Sequence, residues 1–141
     1  MAGAVAVGTV ERWTGVYNQR GSAPRQLGHA LWSLLERLHE GGIGLEELTA
    51  LMERFGRWEV IAREQGLAAA PAVGDTAPIR VTSSVVDPAR IAWVYVVDPP
   101  GHRLVVLATR VEDGVPRHRA IATVPLPPAP EPRWLDVEEA A

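Results

Sequence analysis

The chain of 141 residues contains no cysteine. A disulfide framework, a thiolate zinc site and a cysteine nucleophile are thereby excluded, while the compartment is left open. Lysine is absent as well. All 14 basic residues are arginine against 17 acidic ones, a formal net charge of −3. That balance argues against affinity for a nucleic-acid backbone, which rests on concentrated positive charge. The arginine-only usage has two readings: a high-GC bacterial codon bias toward Arg, Ala, Gly, Pro and Val, or use of the planar guanidinium on carboxylates and phosphates.

No run approaches the roughly 18 apolar residues that a membrane helix needs. The opening MAGAVAVGTVERW has no basic residue ahead of its apolar stretch and reaches Glu11 early, so it does not read as a secretory leader. A cytoplasmic protein away from membranes is the expectation. Also missing are an internal repeat, a G-x-G-x-x-G or G-x-x-x-x-G-K-[ST] phosphate loop, an H-E-x-x-H metal motif and a G-x-S-x-G nucleophile elbow. No catalytic residue, cofactor or metal site is therefore assigned, and an enzyme is not the favoured reading.

What is present suits one domain, since a chain of this length hides roughly two thirds of its unfolded surface and needs no staple. Ala4–Val10 and Arg12–Tyr17 read as extended pieces, one bent strand or two, with Gly8 and Gly15 as places for a bend or bulge. From Pro24 the period changes: Leu27, Leu31, Leu34 and Leu38 make the stripe of an amphipathic helix running from Pro24 to Glu40 and stopped by Gly41-Gly42. Leu45–Phe55 repeats the pattern across a short connection, which predicts an αα-hairpin. Arg57–Gln65 leans to a third helix, and Gly66–Ala77 reads as a loop.

The second half is rich in Val and Ile. Strands are expected over Ile79–Val86, Ile91–Asp98, Arg103–Val111 and Arg119–Val124, the last three as an antiparallel meander closed by DPPG and EDG turns. In IAWVYVV neither alternating face is polar, so this strand is buried on both sides or meets a partner. The order of elements predicts an α+β fold, an antiparallel sheet with an αα-hairpin on one face, over residues 1–124. Residues 125–141 form a separate proline-rich linker and acidic tail.

Gly15-Val16-Tyr17, Pro24, Gly28 and Leu31 stand at the spacing of a G-x-Y-x-H-W-D-G-Y-P-x-x-x-G-x-x-L segment. The segment resembles that of a family of uncharacterised bacterial and phage proteins, in which it runs from a strand into a helix. Trp93-Val94-Tyr95-Val96-Val97-Asp98 is similar to the W-x-Y-x-x-D of a later strand in that family. Where the family has H-W-D-G-Y, this chain has Gln19-Arg20-Gly21-Ser22-Ala23. The resemblance implies a strand-to-helix frame and supplies no activity.

Two candidate sites remain. In the strand-to-helix loop, residues 18–25, the unpaired N–H groups of a helix start together with Arg20, Gly21, Ser22 and Arg25 suit a small anion; the alternative is a turn with two solvated arginines. In the tail, Pro125–Pro132 is stiff and extended, and Trp134, Leu135, Val137 and Glu138 follow it as apolar residues among acids. They could dock in a partner's groove, cover this domain's own apolar surface, or be received by a second copy in a homodimer. His29, His39, His102 and His118 show no metal-ligand spacing, and a proton-transfer role would need His29 or His102 beside a carboxylate such as Asp98. Arg117, His118, Arg119 and Arg110 read as a charged sheet edge. The favoured function is a non-enzymatic interaction or adaptor protein acting on a protein partner or on itself; the alternative is an anion-binding or catalytic domain built on residues 18–25.

Overall fold

The computed structural model describes residues 1–67 and 76–141, so most of the expected loop Gly66–Ala77 lies outside the described residues. Its architecture is α+β. The alternating Ala/Val run at the N-terminus forms β1 (Gly3–Gly8), which turns through Thr9–Arg12 into β2 (Trp13–Asn18) with Val5 opposite Val16. The two extended pieces are thus separate strands. Gly15 sits in the ladder opposite Ala6, without a bulge.

The expected first helix is present with a different start. Residues Pro24–Gly28 make a π-helical turn, in which the N–H of His29 reaches back to the Pro24 carbonyl, and α1 (His29–Glu40) continues from it. Then come α2 (Glu46–Phe55) and α3 (Trp58–Glu64), the latter where a helix was favoured over a strand. The expected strand Ile79–Val86 shrinks to β3 (Arg80–Thr82). Its pairing stops because Ser83 is drawn out of the ladder: its hydroxyl accepts the N–H of Trp13 at 3.0 Å, and the chain turns over residues 83–85. β4 (Trp93–Asp98), β5 (Arg103–Glu112) and β6 (Val115–Pro125) form the meander.

One open sheet results, ordered β3-β2-β1-β4-β5-β6 and antiparallel except for the parallel pair β1 and β4. β4 therefore lies in the middle, with Val94, Tyr95, Val96 and Val97 fully buried. That accounts for the lack of a polar face in IAWVYVV. Each face has its own core. Val5, Val16, Tyr95, Val97, Leu104 and Val106 pack under the apolar stripes of the helices, including Leu31, Leu34, Leu35 and Leu38 of α1. On the opposite face Ala4, Ala6, Val94, Val96, Val105 and Leu107 are covered by Trp13, Val81 and Ile91, and no described helix lies there. The chain between β3 and β4 is fixed on this side by Thr109, whose hydroxyl bonds the Pro88 and Ile91 carbonyls at 2.6 and 3.1 Å.

Past β6 the tail does not remain extended. Leu126 is buried, its N–H donating to the His102 carbonyl, and a short helix α4 (Trp134–Glu139) follows. No described helix is long and apolar enough to cross a membrane.

Candidate functional site

The path from β2 to the π-turn is built from inward-facing polar groups. Asn18 and Ser22 are both buried; the Asn18 amide donates to the Arg20 carbonyl at 2.8 Å and to the Ser22 hydroxyl at 2.7 Å. Gly21 between them has φ of +68°, a backbone conformation at which a side chain is strained. From the sheet below, the Tyr95 hydroxyl donates to the Ser22 carbonyl at 2.6 Å. Burial, and after it the negative charge of Glu138, drives the Tyr95 pKa far above its ordinary value, so the phenol stays a donor. The two segments that resemble the bacterial and phage family are therefore in contact.

Each end of this connection is held by a glutamate. At the β2 end Glu59 of α3 accepts the N–H of Gln19 at 2.6 Å and the Nε of Arg57 at 3.1 Å, with both side chains almost wholly buried. Arg57 lies over the Tyr17 ring, 5.2 Å from its centre, and also donates to the Gln19 side chain. This gives the guanidinium a cation–π contact in addition to its carboxylate. At the helix end Glu138 of α4 accepts the N–H of Arg25 at 2.9 Å and the Nε of the same residue at 3.1 Å. Helix starts leave such N–H groups without a partner, and a carboxylate complements their partial positive charge. Burial works to raise the Glu138 pKa, yet the Arg25 N–H and guanidinium outweigh it and hold the carboxyl below its ordinary range. The anion position inferred for residues 18–25 is thus filled by a carboxylate of the chain itself.

Beside Glu138, the Trp134 ring lies on Gly28. A Cβ at Gly28 would fall 2.8 Å from it, so only glycine leaves the room. Trp134 meets Trp32 of α1 edge to face, with ring centres 6.3 Å apart, and its Nε1 donates to Glu131 at 2.6 Å. The same Glu131 oxygen is 2.6 Å from Nδ1 of His29. Val137 is buried in the main core, and Arg110 of β5 donates to the Ala140 carbonyl at 2.7 Å. The inward side chains Glu131, Trp134, Val137 and Glu138 recur at three- and four-residue spacing, which places them on one helical face. Leu135 points outward and is 42% exposed.

The residues inferred from the sequence are therefore divided. Of the loop set, Arg25 touches a carboxylate, Ser22 is spent inside the turn, Gly21 shapes it, and the exposed Arg20 guanidinium has no partner among the described residues. Of the tail set, Trp134, Val137 and Glu138 converge on the π-turn and Leu135 does not. His29 does lie beside a carboxylate, but it is Glu131; Asp98 instead accepts the Gly101 N–H and pairs with Arg103, both of which lower its pKa. His118 bonds the Ile91 carbonyl, and no three His, Asp or Glu side chains among the described residues gather as a metal would need. Glu59, Tyr95, Gly28 and Glu131 were missed as contributors. The spacing 131, 134, 137, 138 was the one signal in the sequence that pointed to some of them.

Two clefts lie elsewhere. One of about 290 Å³ sits between α2 and β1–β2–β3 beside Val7, Met52, Glu53 and Arg80, and one of about 200 Å³ sits between His39 and His102; neither is lined by residues 18–28. No family model, curated protein or solved structure matches this chain. Fold and site together define an α+β protein with an open, mostly antiparallel sheet and a proline-tethered helix seated on its strand-to-helix turn.

Proposed function

We propose that the chain is a cytoplasmic, non-enzymatic interaction protein that acts on a protein partner or on itself through its C-terminal segment and the turn on which that segment sits. The observation that carries this reading is the seating of α4: an aromatic anchor over Gly28, an apolar residue at the third position after it, and a carboxylate on a helix start. These are the parts of helix-in-groove recognition, here contained in one chain. A helix of six residues has little stability of its own, so it holds its shape by docking.

Cross-linking mass spectrometry and sedimentation on the full chain test the proposal. Links from residues 24–28 or 134–138 to a copurified protein or a second copy, weakened by Trp134→Ala, are the expected result. A chain that stays monomeric at high concentration with no such links overturns it.

A second reading keeps a small anion at residues 18–25, because the donors of Arg25 already hold a carboxylate. Under that reading inorganic phosphate raises the Tm of Glu138→Ala and leaves the Tm of Glu138→Ala with Arg25→Ala unchanged. Equal behaviour of the two variants removes it.

A further inference from the structure

We infer that the surface beneath α4 is a receptor for the pattern Glu-x-x-Trp-x-x-Val-Glu, and that in trans its occupant is the α4 of a second copy. This rests on the interaction reading above and adds the recognition pattern and the partner. Each element of the pattern meets a defined group on the body of the protein. Glu131 reaches His29, Trp134 covers Gly28 and abuts Trp32, Val137 enters the core, and Glu138 takes the N–H and Nε of Arg25.

The body offers positive charge and an apolar floor, and the helix offers carboxylates flanking an aromatic. Every copy carries both halves, so exchange between two copies makes the same contact twice, as a two-fold dimer requires. The connection permits it. Pro127–Arg133, with prolines at 127, 128, 130 and 132, spans ~20 Å when extended at about 3.1 Å per residue. Tethering keeps the contact within one chain at low concentration, because a linked segment is present locally at about millimolar level. Exchange therefore needs either high concentration or loss of the contact within the chain.

Complementation between two full-length variants tests this. Gly28→Val fills the receptor and leaves α4 intact; Trp134→Ala removes the anchor and leaves the receptor open. Mixed, they are expected to form a 1:1 complex about tenfold or more tighter than either variant with itself, read by native mass spectrometry, with a higher Tm than either alone. Should Trp134→Ala fail to fold, Arg25→Glu mixed with Glu138→Arg replaces the pair. Each of these has like charges facing within its own chain and opposite charges across the exchanged contact, so a mixed dimer exceeding both self-dimers is expected. Folded variants that remain monomers on mixing overturn the exchange. If that happens while the wild-type chain still cross-links a different protein through residues 134–138, the exchange falls and the interaction reading stands; if neither occurs, both fall.

Discussion

The two glutamates that hold the strand-to-helix connection use the same chemistry in different surroundings. Glu59 and Glu138 each accept one backbone N–H of the connection and the Nε of one arginine. Glu59 and Arg57 are shut inside the protein, with side-chain exposures of 6% and 3%, and come from neighbouring residues. Arg25 is mostly in water at 64%, and Glu138 arrives from the far end of the chain. A buried pair is costly to break because the remaining charge has no solvent to turn to. An exposed pair costs little to break and is screened by salt. The β2 end of the connection is therefore a permanent fastening, and the helix end is a releasable one.

Substitutions can break this comparison, and the largest effect belongs to the buried end. Glu59→Ala takes the carboxylate from a buried guanidinium and should cost about 3–5 kcal/mol in urea unfolding at neutral pH. An effect under about 1 kcal/mol would put Glu59 in the same class as Glu138. Next comes Trp134→Ala, at about 3 kcal/mol, the low end for a truncated Trp because the ring sits at the rim of the core. Gly28→Ala should cost about 2 kcal/mol through overpacking against Trp134, and the penalty should vanish in the Trp134→Ala background. Additive costs in the double variant would show that Gly28 serves the backbone and not the ring.

Glu138→Gln sharpens the contrast by removing charge alone and should cost about 1 kcal/mol. Its pH behaviour has a fixed sign. The folded-state pKa of Glu138 lies below the unfolded one, so its stabilisation is complete above the unfolded value of about 4.3 and is lost as pH falls through the lower folded value. Acid unfolding curves of wild type and Glu138→Gln should converge there, and half-molar salt should narrow their difference at neutral pH while leaving the effect of Glu59→Ala largely intact. Arg20→Ala is the smallest, within about 0.5 kcal/mol of wild type. A larger loss would mean that the exposed guanidinium has a role that its position does not suggest.

Local periodicity made much of the fold legible. The stripe Leu27-Leu31-Leu34-Leu38 marked α1, and Val/Ile alternation with DPPG and EDG turns marked β4, β5 and β6. The parallel contact of β1 with β4 was not legible, because nothing in either strand names a partner ninety or so residues away in the chain. The short β3 escaped for a local reason: Ile79–Val86 has strand composition throughout, and the Ser83 side chain is what ends the ladder. At the site, Trp134 and Glu138 were picked out by their company of acids and prolines, and Arg25 by its helix start. Their meeting was not foreseen, since each had been assigned to a different candidate. Glu59 looked like any first-turn acid, and its partner Gln19 lies on another element.

The π-turn at Pro24–Gly28 has a bearing on the chain's tolerance of length changes. An α-helix advances by about 100° per residue, and a π-turn holds one residue more than the α-turn it replaces. That additional residue sets the rotational phase of all that follows it. Deleting one residue between Pro24 and Gly28 would leave a more regular helix and turn α1 about its own axis by nearly a third of a revolution, carrying Leu31, Leu34, Leu35 and Leu38 off the sheet and Glu36 and Arg37 toward it. At this point the protein should accept changes of residue type more readily than a change of residue number.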